Sequence, residues 1–313
     1  MLRNVMQAAA FCGLGMSSTP LPAAPAKPRS RLKIGISTLG FAELTNAALG
    51  RELAAAGIRT VQLFLNQIDS RFWKYNGRSD VSSLGAARCK EIATAYRDTG
   101  VAIHSVGVYT NLIHPDEAER KANLAYFEAM MEIGGHMGVR MFVTEAGHYY
   151  NPKEPAPVIP LEFQDKVWPR MIATARQLAD LAAKHDAKLL FEPFYRGFLA
   201  SAKRLRLFLE EVQSPRVRVL LDPANLIELN DLDEMFQQLA RLIDCHHAKD
   251  RKLHTDTGVA AGKGDLDYRR FVALAAQHTP DAPLVLEYVG TANYQQALAH
   301  LRGAMRDSGV IEA

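Results

Sequence analysis

Leu189-Leu190-Phe191-Glu192-Pro193 is the first of four stretches that decide how this chain folds; the others are Val219-Leu220-Leu221-Asp222-Pro223, Cys245-His246-His247-Ala248-Lys249-Asp250 and Leu284-Val285-Leu286-Glu287-Tyr288. The first, second and fourth are short apolar runs closed by a polar group, the pattern of a strand buried on both faces, and the third, following Leu242 and Ile243, is read as the strand between the second and the fourth. Working outward, the same alternation of short β-branched runs with longer segments of helical period reaches back to Lys33. Strands are expected at 33–38, 60–65, 101–108, 140–144, 188–193, 217–222, 242–248 and 283–288. Gly57 and Gly100 punctuate the helix ends before the second and third strands. Leu124, Phe127, Met130 and Met131, and Ile172, Ala175, Leu178, Ala179 and Ala182, fall at three- and four-residue steps and read as helix faces packed on a sheet. Eight βα units can close as a barrel or stay open as a doubly wound sheet. The first strand is not followed by the Gly-x-Gly-x-x-Gly turn of a dinucleotide-binding sheet, so the expected fold is α/β, a single (β/α)8 TIM barrel over residues 31–313. Gly262-Lys263-Gly264, after the seventh strand, lacks the rest of a phosphate-binding loop and reads as a plain loop.

The closing residues carry the chemistry. Glu192, Asp222, His247 and Glu287 each end a strand, one βα unit after another. A barrel brings the C-terminal ends of its strands around one mouth, so three carboxylates and one imidazole are expected to converge there. Carboxylates packed without a cation repel one another, and a divalent ion is the simplest compensation. An oxygen-rich set with one histidine suits Mn2+ or Mg2+, with Zn2+ or Co2+ also compatible. A single acid at a strand end is commonly a helix cap, but four in register point to one metal site.

These residues resemble the xylose isomerase-like barrels, the sugar phosphate isomerase/epimerase superfamily, over most of the chain after its first thirty residues. The resemblance rests on Phe-Glu-Pro at Glu192, Leu-Asp-Pro-Ala-Asn from Leu221 to Asn225, His-Ala-Lys-Asp from His247 to Asp250, and Leu-Glu at Glu287. It implies that the four ligands hold one divalent metal and that Glu192 and Glu287 also move protons. It further implies a metal-dependent sugar isomerase or epimerase that removes a proton beside a carbonyl through a metal-held enediolate. The same enediolate could instead expel a β-oxygen substituent, giving a lyase on a keto-glycoside. Many ketose epimerases carry a histidine where this chain has Asn225, so the hydroxyls recognised are expected to differ. Arg251 matches the family's substrate-binding arginine, and Asn225, Arg251, Glu145 and His148 are the expected substrate contacts. Asn66, His104 and Tyr109 are weaker mouth candidates, and Phe72, Trp73 and Tyr75 form an aromatic loop that could cover a sugar face. His246 alternates with His247 and is expected to point outward.

Composition narrows the rest. The 313 residues are 48% hydrophobic and 23% charged, an ordinary globular balance. A formal charge of +3 gives no reason to expect a nucleic-acid partner, and the several extra metal ligands of the related apurinic-site endonucleases are not found. A small-molecule sugar is the expected partner, a homo-oligomer stays open, and a non-catalytic sugar-binding barrel is the contrasting class. Arg251, Lys249 and the loop residue Lys263 are thin provision for a phosphate dianion, so a non-phosphorylated substrate is expected. Cys12, Cys89 and Cys245 are far apart and read as plain thiols. Residues 1–30 combine Arg3, an apolar stretch from Val5 to Met16 and a Pro/Ala run with small residues at Ala24 and Ala26. That order is expected of a signal peptide and linker, and hence of an exported protein. The stretch is short of the ~20 residues that span a bilayer.

Overall fold

A strand that is apolar on both faces must be covered on both. Closing eight such strands does this, with helices outside and side chains filling the inside. The computed structural model describes residues 30–150, 155, 157–158, 160–255 and 257–313. Its barrel strands are β1 (Ile34–Ser37), β2 (Thr60–Leu63), β3 (Ala102–Gly107), β4 (Met141–Thr144), β5 (Lys188–Phe191), β6 (Val217–Leu221), β7 (Ile243–Ala248) and β8 (Leu284–Leu286). All are parallel, and the ring closes where β8 pairs with both neighbours, Leu284 lying opposite His246 of β7 and Ile34 of β1. The helices are α1 (Asn46–Ala55), α2 (Ala86–Arg97), α3 (Glu117–His136), α4 (Val167–Lys184), α5 (Ala202–Val212), α6 (Leu232–Leu239), α7 (Tyr268–His278) and α8 (Tyr294–Asp307). The eight expected βα units are therefore present, with boundaries within a residue or two of those read from the pattern.

Local chemistry sets the helix ends. Thr45, Asp116, Ser201, Asp231 and Asp267 each accept a hydrogen bond from a first-turn N–H of the helix that follows, each typically contributing about 1 kcal/mol. After α1 and α2 the chain turns through Gly57 and Gly100, at φ of 80° and 74°, a region costly for any residue with a Cβ. The two helical stripes are buried as expected. Cys89 and Cys245 are buried free thiols.

Strand side chains alternate, so each strand supplies both the outer core and the lumen. Val143, Leu190, Leu220, Cys245 and Val285, one from each of β4 to β8, form an apolar cluster separate from the outer core, together with Phe64 and Tyr109. His246, between two inward residues, faces out as expected: it stacks on Phe236 with ring centroids 5.6 Å apart, and its Nε2 lies 2.8 Å from Thr279 Oγ1. The loop holding Gly262-Lys263-Gly264 is tied to Asp250, whose carboxylate accepts from the N–H groups of Gly262 and Leu266. Cys12 and the expected leader fall outside the described residues. Among the described residues no helix is long and apolar enough to cross a membrane.

Candidate metal centre

The lumen layer fixes what stands above it. Two residues beyond Leu190, Leu220, Cys245 and Val285 come Glu192, Asp222, His247 and Glu287, which therefore face inward at the C-terminal mouth. All four are buried, and one ligand atom from each lies within 4.8 Å of all the others. His247 Nε2 lies 2.6 Å from Gln62 Oε1 of β2. As the donor in that bond, Nε2 leaves Nδ1 turned to the carboxylates, 3.2 Å from Glu192, 3.4 Å from Glu287 and 3.7 Å from Asp222. The next inward residue of the same run, Lys249, puts its ammonium 2.7 Å from Asp222 Oδ2 and 2.9 Å from Glu287 Oε2.

Burial and charge pull against each other here. Burial pushes the Asp222 carboxyl up, but Lys249 and His247 outweigh it and hold it at about 2. Burial pushes the His247 imidazole down, and Glu287 and Glu192 overcome that and raise it to about 10. Burial likewise opposes the Lys249 ammonium, which Asp222, Glu287 and Glu192 keep well above its ordinary value. A histidine that ligates a metal must give up its Nδ1 proton, and three carboxylates and one ammonium then leave two negative charges in this buried cluster, the charge that one divalent ion carries. Asp222 Oδ2 also accepts no well-directed hydrogen bond. The donor set thus fits a single divalent ion: Glu192, Asp222, His247 and Glu287 could hold it.

Above the four residues lies a cavity of about 290 Å³. Its aromatic wall is Phe64, Trp73, Tyr75, Tyr109, Phe194 and Tyr288, and its polar groups are Glu145, Glu192, Asn225, Lys249 and Glu287. Glu192 is held at both oxygens: the Tyr109 hydroxyl donates to Oε2 at 2.6 Å and the Asn225 amide to Oε1 at 2.9 Å. Tyr288, at a left-handed φ of 57°, places its ring 4.7 Å from the Lys249 ammonium. On the opposite rim the Tyr75 hydroxyl donates to Glu145 Oε2 at 2.8 Å. Burial and the negative charge of Glu192 raise the Glu145 carboxyl to about 7 despite that bond.

The expected substrate contacts divide. Asn225 and Glu145 line the cavity, Glu145 because it stands two residues beyond the inward Val143. Arg251 does not line it: the side chain is buried behind Phe194 and Tyr195, its Nε donating to Ala224 O and its Nη1 to Thr255 O. His148 also lies outside it, because the chain turns at Gly147, φ 86°, and sends the imidazole into a neighbouring groove. Of the weaker candidates, Tyr109 lines the cavity, while Asn66 is engaged with Leu39 O. His104 is not at the mouth, since the charges it feels are Asp244 and Lys33, near the starts of their strands. Trp73 and Tyr75 face the cavity, whereas Phe72 packs on the outer core. Gln62 and the membership of Lys249 in the carboxylate cluster escaped the sequence reading, though counting inward positions by twos along β2 and β7 reaches both.

The profile of a protein family described as xylose isomerase-like TIM barrel matches residues 51–304. No curated protein matches the chain significantly. Solved structures with the same fold include the 3-keto-D-glucoside 4-epimerase of E. coli, 18% identical, covering 87% of this chain and 100% of that one with a TM-score of 0.66. D-psicose 3-epimerase from Clostridium cellulolyticum H10 is 15% identical over 90% of this chain and 100% of its own, TM-score 0.67. A xylose isomerase domain protein from Planctomyces limnophilus is 16% identical over 90% and 99%, TM-score 0.65. The closed eight-stranded barrel and the profile match over most of its length agree, and the chain belongs to the xylose isomerase-like TIM barrel family.

Proposed function

We propose that this protein is a metal-dependent isomerase or epimerase of a non-phosphorylated sugar, with Glu192 and Glu287 as the two proton-transfer groups. The observation that carries the reading is their placement. They enter one aromatic-lined cavity from β5 and β8, three strands apart on the ring, with Glu192 fixed at both oxygens. Their ligand atoms meet at the centre, but the side chains arrive from different strands, so a carbon bound above the centre has one on each side: one takes the α-proton and the other returns it to the opposite face. A divalent ion at the four-residue centre would supply Lewis-acid stabilisation of the charge that develops on the carbonyl oxygen. The aromatic wall excludes water and offers flat apolar faces to the C–H side of a sugar ring. The names of two fold relatives, a D-psicose epimerase and a 3-keto-D-glucoside epimerase, support the reaction class.

A free substrate is supported by where the cations lie. Lys249 is locked among carboxylates, Arg251 is turned away, and Lys263 is exposed on a loop outside the cavity lining. Incubation with ketoses and keto-sugars in D2O tests the reading. The wild type is expected to incorporate deuterium at the α-carbon, and Glu192→Gln and Glu287→Gln are each expected to abolish incorporation. Full exchange in both variants would sink the assignment.

One observation favours a second reading, elimination of a β-oxygen substituent. The Tyr75–Glu145 pair places a hydroxyl and a carboxyl on the rim, outside the proposed ligand set, where they could protonate a departing oxygen. If so, a keto-glycoside would release its leaving group, and Glu145→Gln would slow that release while α-deuterium exchange continues.

A further inference from the structure

Beside the cavity lies a second and larger hollow, of about 620 Å³, that the proposed chemistry does not use. Three loops line both, and each passes from one to the other within a few residues. The loop after β2 gives Tyr75 to the cavity and Asn76 to the hollow, the loop after β3 gives Tyr109 and then Asn111, and the loop after β4 gives Glu145 and then His148. The hollow is therefore a continuation of the mouth, with the Tyr75–Glu145 pair at the boundary.

The groove is built and polar. The Arg78 guanidinium donates to Asn123 Oδ1 at 2.5 Å, the Asn123 amide to Asn111 O at 2.6 Å, and the Asn111 amide to His148 O at 2.9 Å. That chain fixes the floor and leaves the rings of His114, His148 and Tyr150 along the walls. Arg78 is also paired with Glu119 at 2.9 Å, so the groove's guanidinium is committed, and the Asp116 and Glu119 carboxylates disfavour an anion. Neutral hydroxyls, which both donate and accept, suit this mixture of amide, imidazole and phenol. The first cavity is at the small end of the ~300–1,000 Å³ typical of ligand sites and suits one ring.

We infer that the groove is a subsite for a second sugar ring, and that the substrate is a glycoside whose keto ring occupies the cavity while its glycosidic partner lies along Asn76, Asn111 and His148. This deepens the proposed isomerase reading and rests on it for the identity of the reacting ring, but ring occupancy can be measured without turnover.

The test uses the full-length protein and a matched set of keto-sugars: the monosaccharide, its methyl glycoside and its glucosyl disaccharide. Affinity is measured by calorimetry, and contact by saturation-transfer NMR. Gly77→Phe is the blocking variant, because a Cβ there meets its nearest atom at 3.5 Å, an ordinary contact, and the ring can fill the groove. The expected result is at least tenfold tighter binding of the disaccharide than of the methyl glycoside, with saturation reaching both rings, and a tenfold fall in that ratio in Gly77→Phe. Equal affinities, or a ratio that Gly77→Phe leaves unchanged, would overturn the subsite whether or not exchange occurs. Bound disaccharide with both rings saturated but no α-deuterium exchange would support the subsite and count against the isomerase reading alone.

Discussion

Glu192 shows how a single side chain acquires a role from its neighbours. Its Tyr109 bond, 2.6 Å, comes from a hydroxyl whose own pKa burial and the nearby carboxylates Glu192 and Glu287 push well up, so that it stays a donor. A hydrogen bond to a charged group is worth about 1.5–3 kcal/mol, and each ~1.4 kcal/mol is tenfold in rate. Tyr109→Phe is therefore expected to lower kcat for α-proton exchange by roughly ten- to hundredfold, with bound metal per chain unchanged. Loss of the metal in that variant would show that Tyr109 holds the centre rather than the orientation of one carboxylate. Much of this site was legible in the sequence, because Glu192, Asp222 and Glu287 each end an apolar run, His247 stands near the end of the strand between the last two, and strand alternation fixes their direction. The same count by twos reaches Glu145 from Val143 and Lys249 from His247. Arg251 was not legible: β7 ends at Ala248, and Asp250–Arg251 pairs antiparallel with Gly258–Val259, so alternation no longer governs its side chain. Nor was His148, whose direction depends on the left-handed turn at Gly147.

Between strands and helices, stability rests on close approach. On α3, a Cβ at Gly134 would stand 2.4 Å from Cζ of Phe142 on β4, so the helix packs on that strand only because the side chain is absent. Gly134→Val is expected to cost about 1–3 kcal/mol of unfolding free energy by overpacking. Gly303 in α8 is the contrast, because a Cβ there meets only the Arg306 guanidinium, at 3.7 Å. Gly303→Ala should stabilise by about 0.5–1 kcal/mol through helix propensity. Denaturant melts of the two variants check both signs. On β3, burial lowers the His104 imidazole from 6.5 to about 4. A histidine held neutral in the fold contributes stability that is complete above its unfolded pKa and is lost as pH falls from about 6.5 through about 4. His104→Gln should therefore flatten that part of the Tm–pH curve, and an unchanged slope would contradict it. The elements themselves were readable because period-2 and period-3.6 patterns alternate cleanly. Closure into a ring came instead from elimination, since it depends on β8 meeting β1 across nearly the whole chain.

For the whole molecule, a metal ion that binds the fold and not the unfolded chain adds its binding energy to stability. Chelation should lower Tm, and restoring a divalent ion to a hundred times its Kd should return about 2.7 kcal/mol. We propose that the first thirty residues direct export; mass spectrometry of the protein from its native host should find a mature chain beginning near residue 25 or 27, and an intact N-terminus would count against it. The central claim is that the ends of β5 to β8 converge on one divalent ion. Elemental analysis combined with anomalous diffraction from crystals of the purified protein tests it most directly. The account predicts one ion per chain, contacted by Glu192, Asp222, His247 and Glu287, and absent from Asp222→Ala. Protein without metal after exposure to Mn2+, Mg2+, Zn2+ and Co2+, or an ion seated on other residues, would contradict it.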